Sequence, residues 1–413
     1  MKGFHRLISC FTLHELNERI NIARHPHPEG RFDKLSVHRD RLSVHLTLNP
    51  CAHSLIPTYV LAIFCRNPSQ SSTNFEEALV TFTDQRLNEL LSNFKGKRVA
   101  VVGDLMVDRY YWGNVSRISP EAPVPVVEVI EESVRLGGAA NVANNIQTLG
   151  GIPMLVGLIG KDHPGEVFLE ILKERNLPEK GIVIDASRPT TIKTRVIAHA
   201  QHVVRIDNET KSECPEHIKH LIIDAVKYNI HEIDAIIIED YNKGVVTKDV
   251  IHELVAVAKK YNKIITVDPK FNNFLEYKQV TVFKPNRREV EEAIGGRLKS
   301  AADVEKAGKY LLEKLEAENV LLTRGEEGMT LFESDGSVSS VQTQATNVQD
   351  VSGAGDTVIS TLTMSLASGA HIREAATLAN CAAGVVVAAV GIVPIQPADL
   401  VDAALRFSKN GRA

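Results

Sequence analysis

From about residue 97 the chain alternates two kinds of apolar pattern. Short unbroken apolar runs include KRVAVVGD (97–104), MLVGLIG (154–160), AIIIED (235–240), KIITVDP (263–269), QVTVFKPN (279–286) and VLLTRG (320–325). Such runs are what strands buried on both faces require. Between them lie segments with apolar residues recurring every three or four positions: PGEVFLEILKERNL, CPEHIKHLIIDAVKY, TKDVIHELVAVAKKY and AADVEKAGKYLLEKLE. Those read as amphipathic helices. Repeated strand–helix units predict an α/β fold, a doubly wound and mostly parallel sheet flanked by helices.

Two regions break this rhythm. PVPVVEVIEESVRLGG (123–138), and TTIKTRVIA with HVVRID (190–207), are β-branched and only partly alternating. They predict half-exposed strands of a small β lid, within about 110–136 and 190–207. MTLFES and VSSVQTQ predict a hairpin, GGAANVANNIQTLG a helix opened by glycines, and 353–405 a mostly helical end. FEEALVTFTDQRLNELLSNF predicts a leading helix over 73–96, ahead of a domain spanning 97–405.

Residues 1–72 differ from the rest. They hold seven of the fifteen histidines, three of the five cysteines, and nine basic against five acidic residues. Periodicity there is poor, and the segment is expected to be a disordered or loosely packed extension. Its histidines lack zinc-finger or HExxH spacing, so no metal site is assigned.

The net charge of −4 comes without a basic stripe, which disfavours nucleic acid as a partner. No apolar run reaches the 18 or so residues that span a bilayer. The cysteines form no CxxC pair and no signal peptide is evident, which points to the cytoplasm. No GxxxxGK[ST], HRD, DFG or GxSxG motif is present.

Acidic or polar residues follow several strands: Asp104, Asp240, Asp268, Asn286 and Arg324. Open α/β sheets place ligands at these carboxyl ends. DVSGAGDT (350–357) then runs into the apolar VISTLTMSLA. Small residues there allow a tight turn, and a helix start presents unpaired N–H groups to an anion such as a transferring phosphoryl group. Asp356 is the candidate base for the attacking hydroxyl, with Gly353, Ala354 and Gly355 offering amide donors. A first-turn aspartate serving the helix dipole is the competing reading, and the two are compatible.

Asp104 and Asp108 are candidates for polyol hydroxyls. Gly137 and Gly138 would allow close approach, and Asn141 would bond one more hydroxyl. Lys193, Arg195 and Arg205 are candidates for a second, non-reacting phosphate. Asn286 and Glu289 could order water around nucleotide-bound Mg²⁺, or form a capping box. Asp240 could also lie beside the metal, or shape a turn.

GGAANVANN and DVSGAGDT, about 215 residues apart and in this order, resemble the ribokinase-like (PfkB) carbohydrate kinases over roughly 95–400. The resemblance implies ATP as phosphoryl donor, Mg²⁺, and a β lid over the sugar. It implies Asp356 as base, an anion hole at 353–355, the NxxE pair at Asn286 and Glu289, and Asp108 on the sugar. Thr323, Gly325, Asp350 and Asn380 would then lie at the nucleotide, and a monovalent cation is a further candidate cofactor.

GDLMVDRYYWGNVSRISPEAPVPVVEV, TTIKTRVIAHAQHVVRID, DYNKG and KPNRREVE are similar to the branch of this family that phosphorylates O1 of D-glycero-β-D-manno-heptose 7-phosphate. That branch supplies ADP-heptose for the lipopolysaccharide core, and its lid strands help form a homodimer. The chain stops at Ala413, so the resemblance is to a stand-alone kinase served by a separate adenylyltransferase. AAGVVVAAVGIVP departs from the family pattern, with Ala388 and Ala389 in the stretch where a Lys is expected and Ile392 where a Thr is expected. The alternatives are a kinase of this fold for another sugar or sugar phosphate, and a non-catalytic sugar-phosphate sensor.

Overall fold

The computed structural model describes residues 76–77 and 80–410, except 200, 344 and 346. The expectations for 1–72 lie outside the described residues. In chain order the first elements are β1 (Glu76–Glu77), α1 (Asp84–Phe94), β2 (Arg98–Gly103), β3 (Leu105–Ile118) and β4 (Pro125–Gly138). Next come α2 (Ala139–Thr148), β5 (Ile152–Gly160), α3 (His163–Glu174), β6 (Gly181–Asp185), β7 (Thr191–Ala198) and β8 (Gln201–Asn208). Then follow α4 (Glu216–Asn229), β9 (Ala235–Glu239), α5 (Lys248–Lys260), β10 (Ile264–Asp268), β11 (Val282–Phe283), α6 (Arg287–Ile294) and α7 (Ala301–Leu315). The last are β12 (Asn319–Thr323), β13 (Met329–Glu333), β14 (Val338–Val341), α8 (Ala354–Ala367), α9 (Ile372–Val386) and α10 (Pro397–Asn410).

A ten-stranded sheet runs β1-β14-β13-β12-β11-β10-β9-β2-β5-β6. Its pairings are parallel except those made by β13, the first strand of the predicted hairpin, with β12 and β14. Strand alternation divides the core. Val99, Val101, Ile237 and Leu321 face a layer built from α1, α2, α3, α8, α9 and α10. Ala100, Val102, Ile236, Ile238, Val320 and Leu322 face the layer of α4, α5 and α7. Helices on both faces are why the strand runs are apolar throughout.

The partly polar strands form a separate four-stranded sheet, β4-β3-β7-β8. β3 pairs antiparallel with β4 and parallel with β7. Every residue of the edge strand β8 is exposed.

The leading helix is shorter than 73–96. Glu76–Glu77 instead pair in parallel with β14, and helix starts only at Asp84. The reason is local: Thr83 caps the helix, its Oγ1 accepting from Arg86 N at 3.1 Å. Just before it, the buried Phe82 donates its N–H to Ser408 Oγ at 2.8 Å. The VTFT segment is β-branched, and its backbone bond goes to α10 rather than into a helix.

Helix α8 is buried on all sides from Asp356 to Ser365. Three of its hydroxyls are satisfied within the helix: Ser360, Thr363 and Ser365 donate to the carbonyls four residues back at 2.6–2.7 Å. Thr363 Oγ1 also meets Thr266 Oγ1 of β10 at 2.7 Å. The element that carries Asp356 is thereby fixed to the centre of the sheet.

Candidate active site

Gly353 caps α8 in the left-handed region, φ 77°, where a side chain is strained. The turn puts Asp356 in the first turn of the helix, 2% exposed. Ala354 N–H is taken by Val351 O at 3.2 Å. The amides of Gly355 and Asp356 lie in the first helical turn, which lacks intrahelical acceptors. A Cβ on Gly355 would lie 3.4 Å from Asp268 Oδ2 and 3.7 Å from Lys284 Nζ.

Both oxygens of Asp356 accept hydrogen bonds. Asn141 Nδ2 donates to Oδ2 at 2.7 Å, and Tyr241 OH donates to Oδ1 at 2.8 Å. Burial pushes the Asp356 carboxyl up to about 6, with the two donors working against that rise. Asn141 is presented by α2, which the same helix ties down through Asn145. Asn145 Oδ1 accepts from Thr357 Oγ1 at 3.3 Å and from Ile395 N at 3.1 Å.

One carboxylate oxygen from each of Glu239, Asp268 and Asp356 lies within 4.8 Å of the others. Asp268 is paired with the buried Lys284 at 2.7 Å. Burial works against the Lys284 charge, but Asp268 and Glu289 outweigh it and hold the ammonium above its usual range. Glu239 is 1% exposed, and neither of its carboxylate oxygens has a hydrogen-bond partner among the described residues. Burial first, then Asp268 and Asp356, raise its pKa well above the ordinary range.

The structure gives several sequence candidates other partners. Asp104 is a loop anchor: its carboxylate accepts from Tyr241 N at 2.7 Å, Lys243 N at 3.0 Å and Val245 N at 3.2 Å. Asp108, 2% exposed, is ion-paired with Arg195 across the β3–β7 pairing. A Cβ on Gly137 would overlap the other oxygen of Asp108, and one on Gly138 (φ 57°) would lie 2.5 Å from Asp104 O. These glycines therefore make room for the two aspartates. Arg205 is paired with Asp207 at 2.9 Å on the exposed strand β8. Of the three basic candidates, Lys193 alone has no ion-pair partner among the described residues. Its Nζ lies 5.3 Å from the Tyr241 ring centre, and burial, then Lys243, lower its pKa.

The two expected metal-side acids are also engaged. Glu289 closes a capping box with Asn286, at 2.8 and 2.9 Å, and its remaining oxygen is paired with Lys270. Asp240 accepts from Asn242 N at 2.7 Å and Tyr277 OH at 2.6 Å, and is pushed up to about 7 by burial and then by Asp104. Both capping and turn formation use short-range backbone donors, so they are met before any ligand is.

Among the nucleotide-side candidates, Asp350 accepts from Ser352 N at 2.9 Å and Gly391 N at 3.0 Å, which braces the loop beside Ile392. Asn380 is buried and donates to Gln342 O at 2.8 Å. Thr323 closes a bridge to Asn286, its N–H on Pro285 O at 3.0 Å. Gly325 has open space where a Cβ would go. In the loop at the Ala388 and Ala389 departure, both residues donate backwards into the end of α9 at 3.2 Å.

Sequence reasoning did not single out Tyr241, Glu239 or Lys284. Glu239 and Tyr241 flank Asp240, and Lys284 lies two residues before Asn286, each at the end of an apolar run. The signal was there as an ionisable or phenolic group at a strand end. Its partners were more than 15 residues away in sequence.

Comparison with known proteins gives a consistent relationship. Residues 97–398 match the pfkB family carbohydrate kinases. The chain is 44% identical over 310 residues to the bifunctional protein HldE of Desulfatibacillum aliphaticivorans, covering 75% of this chain and 63% of that protein. It is 42% identical over 301 residues to the bifunctional protein HldE of Geobacter sulfurreducens, covering 73% and 61%. The chain thus spans somewhat less than two thirds of the length of these relatives. Among solved structures, phosphofructokinase-2 from Escherichia coli in complex with fructose-6-phosphate superimposes with a TM-score of 0.60 at 19% identity, covering 76% of this chain and 99% of that one. Arabidopsis thaliana ribokinase complexed with ribose and ATP gives 0.59 at 17%, with coverage of 76% and 99%. These structural likenesses establish the ribokinase-like α/β fold. With the family match spanning most of the described residues, the chain belongs to the pfkB family of carbohydrate kinases.

Proposed function

We propose that this chain transfers the γ-phosphoryl group of ATP to O1 of D-glycero-β-D-manno-heptose 7-phosphate, giving the 1,7-bisphosphate. The observation that carries this reading is Asp356: a buried carboxylate in the first turn of α8, oriented by Asn141 and Tyr241. The likeness to HldE proteins at 42–44% identity supports the sugar.

In the reaction, O1 bonds to the γ-phosphorus as the bond from that phosphorus to the β-bridging oxygen breaks. The proton of O1 passes to Asp356. The amides of Gly355 and Asp356 and the positive end of α8 meet the charge on the transferring group. Most of the catalytic effect in such transfers comes from placement and charge stabilisation. Lys193, the basic candidate without an ion pair, is assigned to the 7-phosphate in place of Arg195 and Arg205.

Magnesium fits the acids at the strand ends. Glu239 has two buried oxygens without partners, beside Asp268, and hard oxygen donors suit this ion. When bound, it would neutralise negative charge on the nucleotide phosphates. Glu239 and Asp268 would hold it, in place of Glu289 and Asp240. A monovalent cation is a further proposed cofactor, since one solved phosphofructokinase-2 is a complex with potassium.

The proposed assembly is a homodimer through the lid sheet. Val129 is 54% exposed, Ile130 72% and Ile206 57%, which leaves apolar side chains uncovered on both edge strands of the lid sheet. Nucleotidyl transfer by an adenylyltransferase is the reaction proposed to consume the product. No helix among the described residues is long and apolar enough to cross a membrane, and the proposed location is the cytoplasm.

An ADP-release assay on heptose 7-phosphate, beside sugars with and without a terminal phosphate, tests the reading. The expected result is turnover selective for the phosphorylated heptose. Equal use of the unphosphorylated sugar removes Lys193 from its role, and no ADP release with any sugar removes the kinase assignment.

A further inference from the structure

Tyr241 is joined to four separate parts of the site. Its backbone N–H donates to Asp104 Oδ2 at 2.7 Å, which fixes the residue at the carboxyl end of the sheet. Its hydroxyl donates to Asp356 Oδ1 at 2.8 Å. Its ring centre lies 5.3 Å from Lys193 Nζ on the lid strand β7 and 5.2 Å from Lys270 Nζ in the loop after β10. One side chain thus touches the base, the lid cation and a second cation.

Building on the kinase reading above, we propose that Tyr241 is a positioning residue with two separable halves: its hydroxyl aims the base, and its ring holds Lys193 ready for the phosphate of the sugar. The hydroxyl half follows from the hydrogen-bond pattern of Asp356. A carboxylate with donors on both oxygens has its plane fixed, and a remaining lone pair faces the acceptor hydroxyl. Losing one donor lets the group rotate, and small misplacements at a reacting atom cost large factors in rate. The ring half follows from Lys193. That ammonium is partly buried without an ion pair among the described residues, and the Tyr241 face stabilises it beside the charges of Asp108, Glu209 and Asp207. Holding a long side chain in place lowers the ordering cost of binding an anion.

The test uses the purified full chain as wild type, Tyr241→Phe and Tyr241→Leu. ADP release is followed with heptose 7-phosphate and with the same heptose lacking the phosphate, and each variant is melted to confirm folding. Tyr241→Phe keeps the ring and the volume, so it folds like wild type. Its expected kcat is lower by about tenfold or more, with KM for the sugar phosphate within about twofold. Tyr241→Leu is expected to repeat that kcat loss and also to raise KM about tenfold for the phosphorylated sugar only. A wild-type kcat in Tyr241→Phe overturns the hydroxyl half. The same KM in Leu as in Phe overturns the ring half. A general packing role would lower the melting point and raise KM for both sugars, which also overturns the proposal. Wild-type protein that turns over no sugar counts against the kinase reading itself, a result distinct from all of these.

Discussion

Asn141 and Asp356 are 215 residues apart in the chain, yet Asn141 Nδ2 lies 2.7 Å from Asp356 Oδ2. The contact joins the two glycine-led helix starts of the fold, one closing the lid sheet and one opening the central helix. It converts two local turn motifs into one site.

Replacing Asp356 by Asn keeps the shape of the site and removes its basicity. The expected outcome is near-normal substrate binding with kcat lowered by about 10²–10⁴-fold. Steady-state kinetics beside a direct binding measurement check this, and a near-normal kcat would take Asp356 out of the base role.

Asn141→Asp puts a second carboxyl against Asp356, the proposed base. A like charge at hydrogen-bond distance raises the pKa of the pair. Activity at neutral pH is expected to fall by about tenfold or more and to recover partly as pH rises. Asn141→Ala, which only removes the donor, should lose less and show no such recovery. A pH series on both variants separates these outcomes.

The pH profile of the wild type follows from the same carboxyl. Its folded value of about 6 lies above the ordinary aspartate value of 3.8. As the proposed base it must be ionised, so kcat/KM should fall below about pH 6 and level off above it. The sign for stability is opposite. A raised carboxyl pKa favours the fold fully below the unfolded value, and that gain is lost as pH rises through the folded value. Asp356→Asn should therefore be more stable than wild type at pH 8, with the gap narrowing toward pH 5. Melting curves across that range would refute the point if the gap were constant.

Glu239 gives a prediction about metal. A buried carboxylate without hydrogen bonds is costly, and a cation beside it relieves the cost. Magnesium without nucleotide should raise the melting temperature of wild type, and Glu239→Gln should melt higher than wild type without metal and respond less to it. An equal magnesium response in both proteins would remove Glu239 from the metal side.

Gly137→Ala tests the packing around Asp108. The new methyl overlaps Asp108 and must displace it from Arg195. Breaking a largely buried pair of this kind destabilises by up to about 3–5 kcal/mol, so a marked drop in melting temperature is expected. An unchanged melting point would mean the lid adjusts without loss.

Much was decided along the chain itself. Unbroken apolar runs could only be strands covered on both faces, and three-to-four spacing fixed the helices over them, so the doubly wound sheet was legible. So were the half-exposed lid strands and the tight turn that starts α8, because turn chemistry and helix ends depend on near neighbours. Folding alone decided which polar groups remain available to a ligand. Arg195 and Asp108 satisfy each other across two strands, Glu289 caps its own helix, and Asp240 turns to Tyr277. It also decided that Tyr241 and Asn141 converge on Asp356. Hydrogen-bond and charge partners act over about 3 Å of space regardless of sequence separation, so no spacing rule along the chain could reveal them.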